Sequence, residues 1–196
     1  MHWDWLTQDL AWEWAERLWQ LLMIVWIVLW LGAKSAKKRE RWNGRAGYLI
    51  LLLVGGWLLF GPRVAWEWMN VRLLPNVPLV WGLGLGVTAI GIGMAIWARL
   101  SLGTNWSGTV TLKKDHELVR KGLYRRIRHP IYTGILVGMV GTQMIQGHLK
   151  GWIGVGIILA GFYIKARREE RFLSEEFGAR FEEHARQTGM FLPKWT

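Results

Sequence analysis

Arg128-His129-Pro130-Ile131-Tyr132-Thr133-Gly134 marks the point where a basic, polar segment, residues 105–128, runs into an apolar stretch that continues to Gly147. Proline lacks a backbone N–H and has a pre-set φ, which suits the first turn of a helix, so a helix is predicted to begin at Pro130 and continue over residues 131–146. The first-turn N–H groups of such a helix have no internal partner and carry the positive end of its dipole. Arg128, His129 and Tyr132 stand beside that turn and offer a fixed cation, an imidazole and a phenol. Together they suit an anionic or carboxylate-bearing ligand at a lipid–water boundary. The same residues also fit a purely structural reading, in which Arg128 snorkels, Tyr132 joins an aromatic belt and His129 flanks a helix.

Outward from this point, the apolar residues gather in blocks at about 18–33, 47–61, 78–98, 131–146 and 152–164, several of them near the lower limit for a span of about 20 residues. Backbone polar groups in lipid must be paired within the segment, and nothing here alternates with period two, so the blocks read as helices. With 196 residues, 52% of them hydrophobic, the chain is short enough for one domain. The expected fold is an all-α integral membrane protein of five transmembrane helices plus a cytoplasmic amphipathic C-terminal helix. Residues 1–98 would hold helices one to three, 99–130 a cytoplasmic connection, 131–166 helices four and five, and 167–196 the C-terminal helix and tail. Residues 1–16 carry Asp4, Asp9, Glu13 and Glu16 where a secretory signal would be basic, and no small-residue cleavage site follows the first block. This segment is expected to be retained and to lie in the interface on Trp3, Trp5, Trp12 and Trp14.

The formal charge of +11 invites a nucleic-acid reading, but the cations cluster where hydrophobic blocks end. Lys34, Lys37, Lys38, Arg39, Arg41 and Arg45 fill the first connection, a second cluster runs from Lys113 to Arg128, and a third holds Lys165, Arg167, Arg168 and Arg171. All three fall on one side if every block spans. By the positive-inside rule that side and the C-terminus are cytoplasmic, the N-terminus is outside, and the membrane is the inner one if the chain is bacterial. Topology and anionic-lipid contact account for most of the cationic excess, so no nucleic-acid partner is needed. Trp30, Trp42, Trp57, Trp66, Trp68, Trp81, Trp97, Trp106 and Trp152, among sixteen tryptophans, lie mostly near block ends and read as interfacial anchors. The absence of cysteine excludes disulfides, thiolate metal sites and a cysteine nucleophile, and the five histidines show no ligand spacing, so no metal is expected.

Gly134 and Gly138 have the small-xxx-small spacing, and with the glycines of the third and fifth blocks they predict close packing of helices three to five. The connection between blocks three and four, about thirty residues with Val110, Leu112, Leu118, Val119, Leu123 and Ile127 punctuating its basic run, is longer than a compact bundle requires. It is expected to fold against the bundle. After the fifth block, Lys165 and Glu169 lie four apart on one helix face.

Six fragments in order carry a resemblance: Asn105-Trp106, His116-Glu117-Leu118-Val119, Gly122-Leu123-Tyr124, the Arg128–Gly134 run, Gly141-Thr142-Gln143, and Glu169-Glu170 followed by Phe177-Gly178. With them the stretch 98–194 resembles the isoprenylcysteine carboxyl methyltransferase family, within a superfamily that also includes phospholipid methyltransferases and sterol reductases. The resemblance implies S-adenosylmethionine as cofactor, with 99–130 as its binding connection. It implies cofactor contacts at His116, Leu118, Val119, Tyr124, His129, Pro130, Tyr132 and Glu169. The cations Lys165 and Arg167 stand where a family arginine faces the substrate carboxylate, and they are the candidates for catalytic positioning. Gly91-Ile92-Gly93 also resembles a Gly-x-Gly cofactor element of the phospholipid methyltransferases. The family's glutamine shortly before the histidine is absent here, with Thr111 near its place.

A carboxylate is already ionised at neutral pH, so methylating it needs no general base, metal or covalent intermediate, only positioning and exclusion of water. The expected partners are therefore a lipophilic or prenylated acceptor and membrane lipid. A lipid amine would first have to lose a proton, with His129 or Glu169 as candidate base. A nicotinamide-dependent reductase of the sterol type and a non-catalytic lipid-binding protein are the readings from other classes.

Overall fold

The computed structural model describes residues 7–31, 36–39, 42–103, 111–113 and 118–194. Six helices carry the chain: α1 (Gln8–Leu31), α2 (Trp42–Phe60), α3 (Pro78–Leu102), α4 (Pro130–Gln146), α5 (Leu149–Phe177) and α6 (Ala179–Gln187). α1, α3 and α5 are long and apolar enough to cross a membrane. The apolar part of α2, Arg45–Phe60, is shorter, and the 17 residues of α4 extend about 25 Å against a hydrocarbon core of about 30 Å.

Three expectations change in the structure. Residues 8–16 are not a separate interfacial segment but the first turns of α1, where Ala11 and Ala15 are fully buried against Ile145 with Trp81 and Leu85 packed around them. Gln8 fixes this end by donating to Ile145 O at 3.1 Å. No new helix begins near residue 167, because α5 runs 29 residues to Phe177 without an interrupting Pro or Gly after Gly161. It ends at Gly178, whose φ of 50° turns the chain into α6. Finally, the all-α expectation misses a small antiparallel ribbon of β1 (Ala36–Arg39) and β2 (Thr111–Lys113). A pairing this short shows no period-two signal in the sequence.

Two glycine-lined crossings hold the bundle. α4 lies on α3 so closely that a Cβ on Gly91 would sit 2.6 Å from Gly134 O and closer still to Gly138 N. A Cβ on Gly84 would come 2.7 Å from Gly141 O. α2 and α5 meet in the same way, with a Gly154 Cβ 2.7 Å from Gly55 O. Such contacts need residues without side chains, because apolar surface alone does not drive association in lipid. Inside the first crossing Thr142 Oγ1 donates to Gly138 O at 2.9 Å, and Trp19 Nε1 of α1 donates to Thr142 Oγ1 at 2.9 Å. Gly93, by contrast, has nothing within 4 Å of where a Cβ would be, so the Gly91-Ile92-Gly93 element places only its first glycine at an interface, and that interface is with α4.

The tight α4–α5 turn at Gly147 (φ 74°) is closed by the α2–α3 connection. Arg72 donates to Gln146 O at 2.6 Å and Ile145 O at 3.1 Å, satisfying the last carbonyls of α4. Lys150, at the start of α5, donates to Gly61 O at 2.6 Å and Pro62 O at 2.9 Å, tying in the end of α2. In that connection Trp66 and Trp68 point outward, as do Trp30, Trp57 and Trp97 on the long helices. The start of α4 and the last turns of α5 are thereby held side by side at the opposite end of the bundle.

Candidate active site at the start of α4

Pro130 opens α4 as expected, and His129 is its N-cap residue, with a fully buried ring. His129 Nδ1 lies 3.5 Å from Glu169 Oε2 and Nε2 lies 3.3 Å from Glu170 Oε1, so each ring nitrogen faces a carboxylate of α5. Both nitrogens can donate only in the imidazolium form. Burial is the largest single influence on His129 and pulls its pKa down, but hydrogen bonds and charge from Glu169 and Glu170 outweigh it and raise the pKa above the ordinary value.

Tyr132 follows one turn later on α4 and donates to Glu169 Oε1 at 2.7 Å. Its ring stacks on His129 with centroids 5.5 Å apart and on Phe162 of α5 at 4.7 Å. Lys165 Nζ lies 5.2 Å over the Tyr132 ring and 6.0 Å from that of Tyr48 on α2, and its charge acts on the Glu169 carboxylate. Behind this face Tyr124 and Ile131 are buried with Ala98, and Val119, Leu123 and Tyr132 pack around them. Half-buried Leu118 leads into that cluster. Arg128 Nε donates to Glu170 Oε1 at 2.6 Å, and the far side of its guanidinium reaches Ala185 O at 3.1 Å and Thr188 O.

The structure thus brings Val119, Tyr124, His129, Pro130, Tyr132, Lys165 and Glu169 to one end of the bundle. His116 lies outside the described residues, as do Asn105 and Trp106. Arg167 turns elsewhere: its side chain is 55% exposed and its guanidinium pairs with Glu170 Oε2 at 3.7 Å rather than joining Lys165 over the aromatic face. Two functional neighbours were missed from sequence. Glu170 is the common partner of Arg128 and His129, and Tyr48, 2% exposed, completes the wall beside Lys165. The Glu169-Glu170 doublet was the available signal for the first; nothing in the sequence pointed to Tyr48.

Residues 84–175, from the third helix to just past Glu170, match the model of the isoprenylcysteine carboxyl methyltransferase (ICMT) family. This match spans just under half of the chain, which is in that region similar to the isoprenylcysteine carboxyl methyltransferase family. The protein-S-isoprenylcysteine O-methyltransferase of Schizosaccharomyces pombe is 28% identical over 162 residues, covering 77% of this chain and 68% of that protein. A probable protein-S-isoprenylcysteine O-methyltransferase of Oryza sativa subsp. indica is 30% identical over 127 residues, covering 62% of this chain and 66% of that protein. The chain therefore spans about two thirds of the length of these relatives. A solved structure of the eukaryotic intramembrane Ras methyltransferase ICMT aligns over 77% of this chain and 51% of that one, with 25% identity and a TM-score of 0.48. The matched region contains His129, Tyr132, Lys165, Glu169 and Glu170 together.

Proposed function

We propose that the chain is an S-adenosylmethionine-dependent membrane methyltransferase that esterifies the carboxylate of a lipophilic, isoprenylcysteine-like acceptor at the cytoplasmic membrane surface. The observation that carries this reading is the seating of His129 between Glu169 and Glu170. With a carboxylate facing each ring nitrogen, His129 is placed to donate rather than to take a proton, and Glu169 is engaged by both His129 and Tyr132, so the arrangement favours an acceptor that needs no base over an amine that does. A carboxylate acceptor requires none.

The residues present fit the methyl donor. A half-buried carboxylate at Glu169 beside the stacked rings of Tyr132 and Phe162 suits a group carrying ammonium and sulfonium charge. Main-chain groups at Leu118 and Val119 would pair the adenine edge next to the apolar Tyr124 cluster, against which Val119 packs. When bound, S-adenosylmethionine supplies an electrophilic methyl group. The chain's own contribution is positional: Lys165 holds the acceptor carboxylate from the α5 side, with Arg167 as a second cation nearer the surface. The walls of Tyr48, Tyr132 and Phe162 exclude water.

Lys165→Met should raise the acceptor KM by about tenfold while leaving donor affinity within twofold, and Arg167→Met should have the smaller effect because its charge is exposed and already paired. Steady-state kinetics with a prenylcysteine acceptor and donor titration check this together. A shared loss of donor affinity in Lys165→Met would place that lysine in the donor site instead.

The same reading keeps five spans, with the N-terminus outside and the site and C-terminus in the cytoplasm. Cysteines at exposed Glu182 and Glu67 should label from opposite sides, Glu182→Cys only from the cytoplasm. Labelling of both from one side would refute this topology.

A further inference from the structure

Residues 188–194, beyond α6, lie as a bent strap against the four residues that precede α4. Arg128 N donates to Gly189 O at 2.8 Å and His129 N to Met190 O at 3.1 Å, while Gly189 N returns a bond to Arg126 O at 3.0 Å. The strap is also held by side chains. Thr133 Oγ1 on the first turn of α4 donates to Phe191 O at 2.8 Å, and Arg128 reaches Thr188 O. The Phe191 ring then rests against the buried His129 ring, with centroids 6.1 Å apart. The imidazole thus has two aromatic neighbours, Tyr132 stacked on it from α4 and Phe191 tilted against it at 57° from the strap.

We propose that Phe191 is a positioning residue for His129: the strap of residues 188–194 fixes both the backbone and the ring of His129, so the donor site is complete only when the strap is docked. The inference rests on the donor-binding reading given above. Its physical basis is that His129 cannot be oriented by α5 alone. Glu169 and Glu170 of α5 meet only the ring nitrogens, at 3.5 Å and 3.3 Å, whereas the strap holds the His129 backbone through the hydrogen bond from His129 N to Met190 O and adds the Phe191 ring contact.

Two variants and one rescue test it in the full-length, detergent-solubilised protein. Gly189→Ala displaces the strap locally, because a Cβ there would run into Leu192 O. Phe191→Ala removes only the ring, and Phe191→Tyr restores an aromatic face. Amide hydrogen exchange at Arg128 and His129 should quicken by roughly tenfold in Gly189→Ala while the α4 interior stays protected. S-adenosylmethionine affinity should fall by roughly tenfold in both Gly189→Ala and Phe191→Ala and return to within twofold of the parent in Phe191→Tyr. Unchanged exchange in Gly189→Ala would overturn the docking claim, and unchanged donor affinity in both variants would overturn the positioning role. Absence of donor binding in the parent would instead count against the methyltransferase reading, with the exchange measurement still deciding whether the strap holds His129.

Discussion

Gly91→Ala should leave almost no folded protein in detergent, whereas Gly93→Ala, two residues along the same helix, should be tolerated. A methyl on Gly91 enters the backbone of α4 at Gly134 O and Gly138 N, and backbone cannot move aside as a flexible side chain can. The two helices must separate, which breaks the contacts of Gly84 with Gly141 and the hydrogen bond from Thr88 Oγ1 on α3 to Gly138 O on α4. Overpacking typically costs about 1–3 kcal/mol, and a backbone clash belongs at or above the upper end. The site depends on this crossing, since α4 carries His129 and Tyr132 on its first turn. Gly93 has open space at its Cβ position, and alanine is the better helix former. Size-exclusion profiles of the two variants check the pair, and equal tolerance would mean the helices do not approach as described.

The second large effect is on the donor. Glu169→Gln should weaken S-adenosylmethionine binding by about 1–3 kcal/mol, the usual cost of stranding charged hydrogen-bonding partners. Glutamine keeps the volume and can still accept from Tyr132, but it removes the negative charge that faces His129 Nδ1 and attracts a cationic ligand. His129→Ala should cost a similar amount, because it leaves Glu169 and Glu170 as adjacent carboxylates with one shared cation fewer. Trp30→Phe, exposed on the outer face of α1, should leave donor affinity unchanged. Isothermal titration of each variant against the parent is the measurement.

The parts of this molecule that could be read from sequence are those written locally. Pro130 set the start of α4, the glycine spacing of Gly134 and Gly138 announced a close helix crossing, and Lys165 with Glu169 marked one face of α5. What the sequence hid is the pairing of groups far apart in the chain. Arg128 and Glu170 are separated by 42 residues, and the strap that reaches His129 is a seven-residue polar and apolar mixture with no periodicity. The charge run after Ile164 suggested a helix boundary because composition changes there, yet backbone hydrogen bonding is indifferent to that change and α5 simply continues. Tyr48 carries no local signal, because Lys165, which lies 6.0 Å from its ring, is on a different helix.

The central claim is methyl transfer to a carboxylate. Incubating the purified protein with methyl-labelled S-adenosylmethionine and a small prenylcysteine, followed by mild alkaline hydrolysis, tests it directly, because a methyl ester releases labelled methanol in base and an N-methyl amine does not. Base-labile, volatile label that depends on the prenylcysteine and disappears in Glu169→Gln is the result predicted here. Label retained through alkaline treatment, or no transfer to the prenylcysteine from a protein that binds the donor, would contradict it.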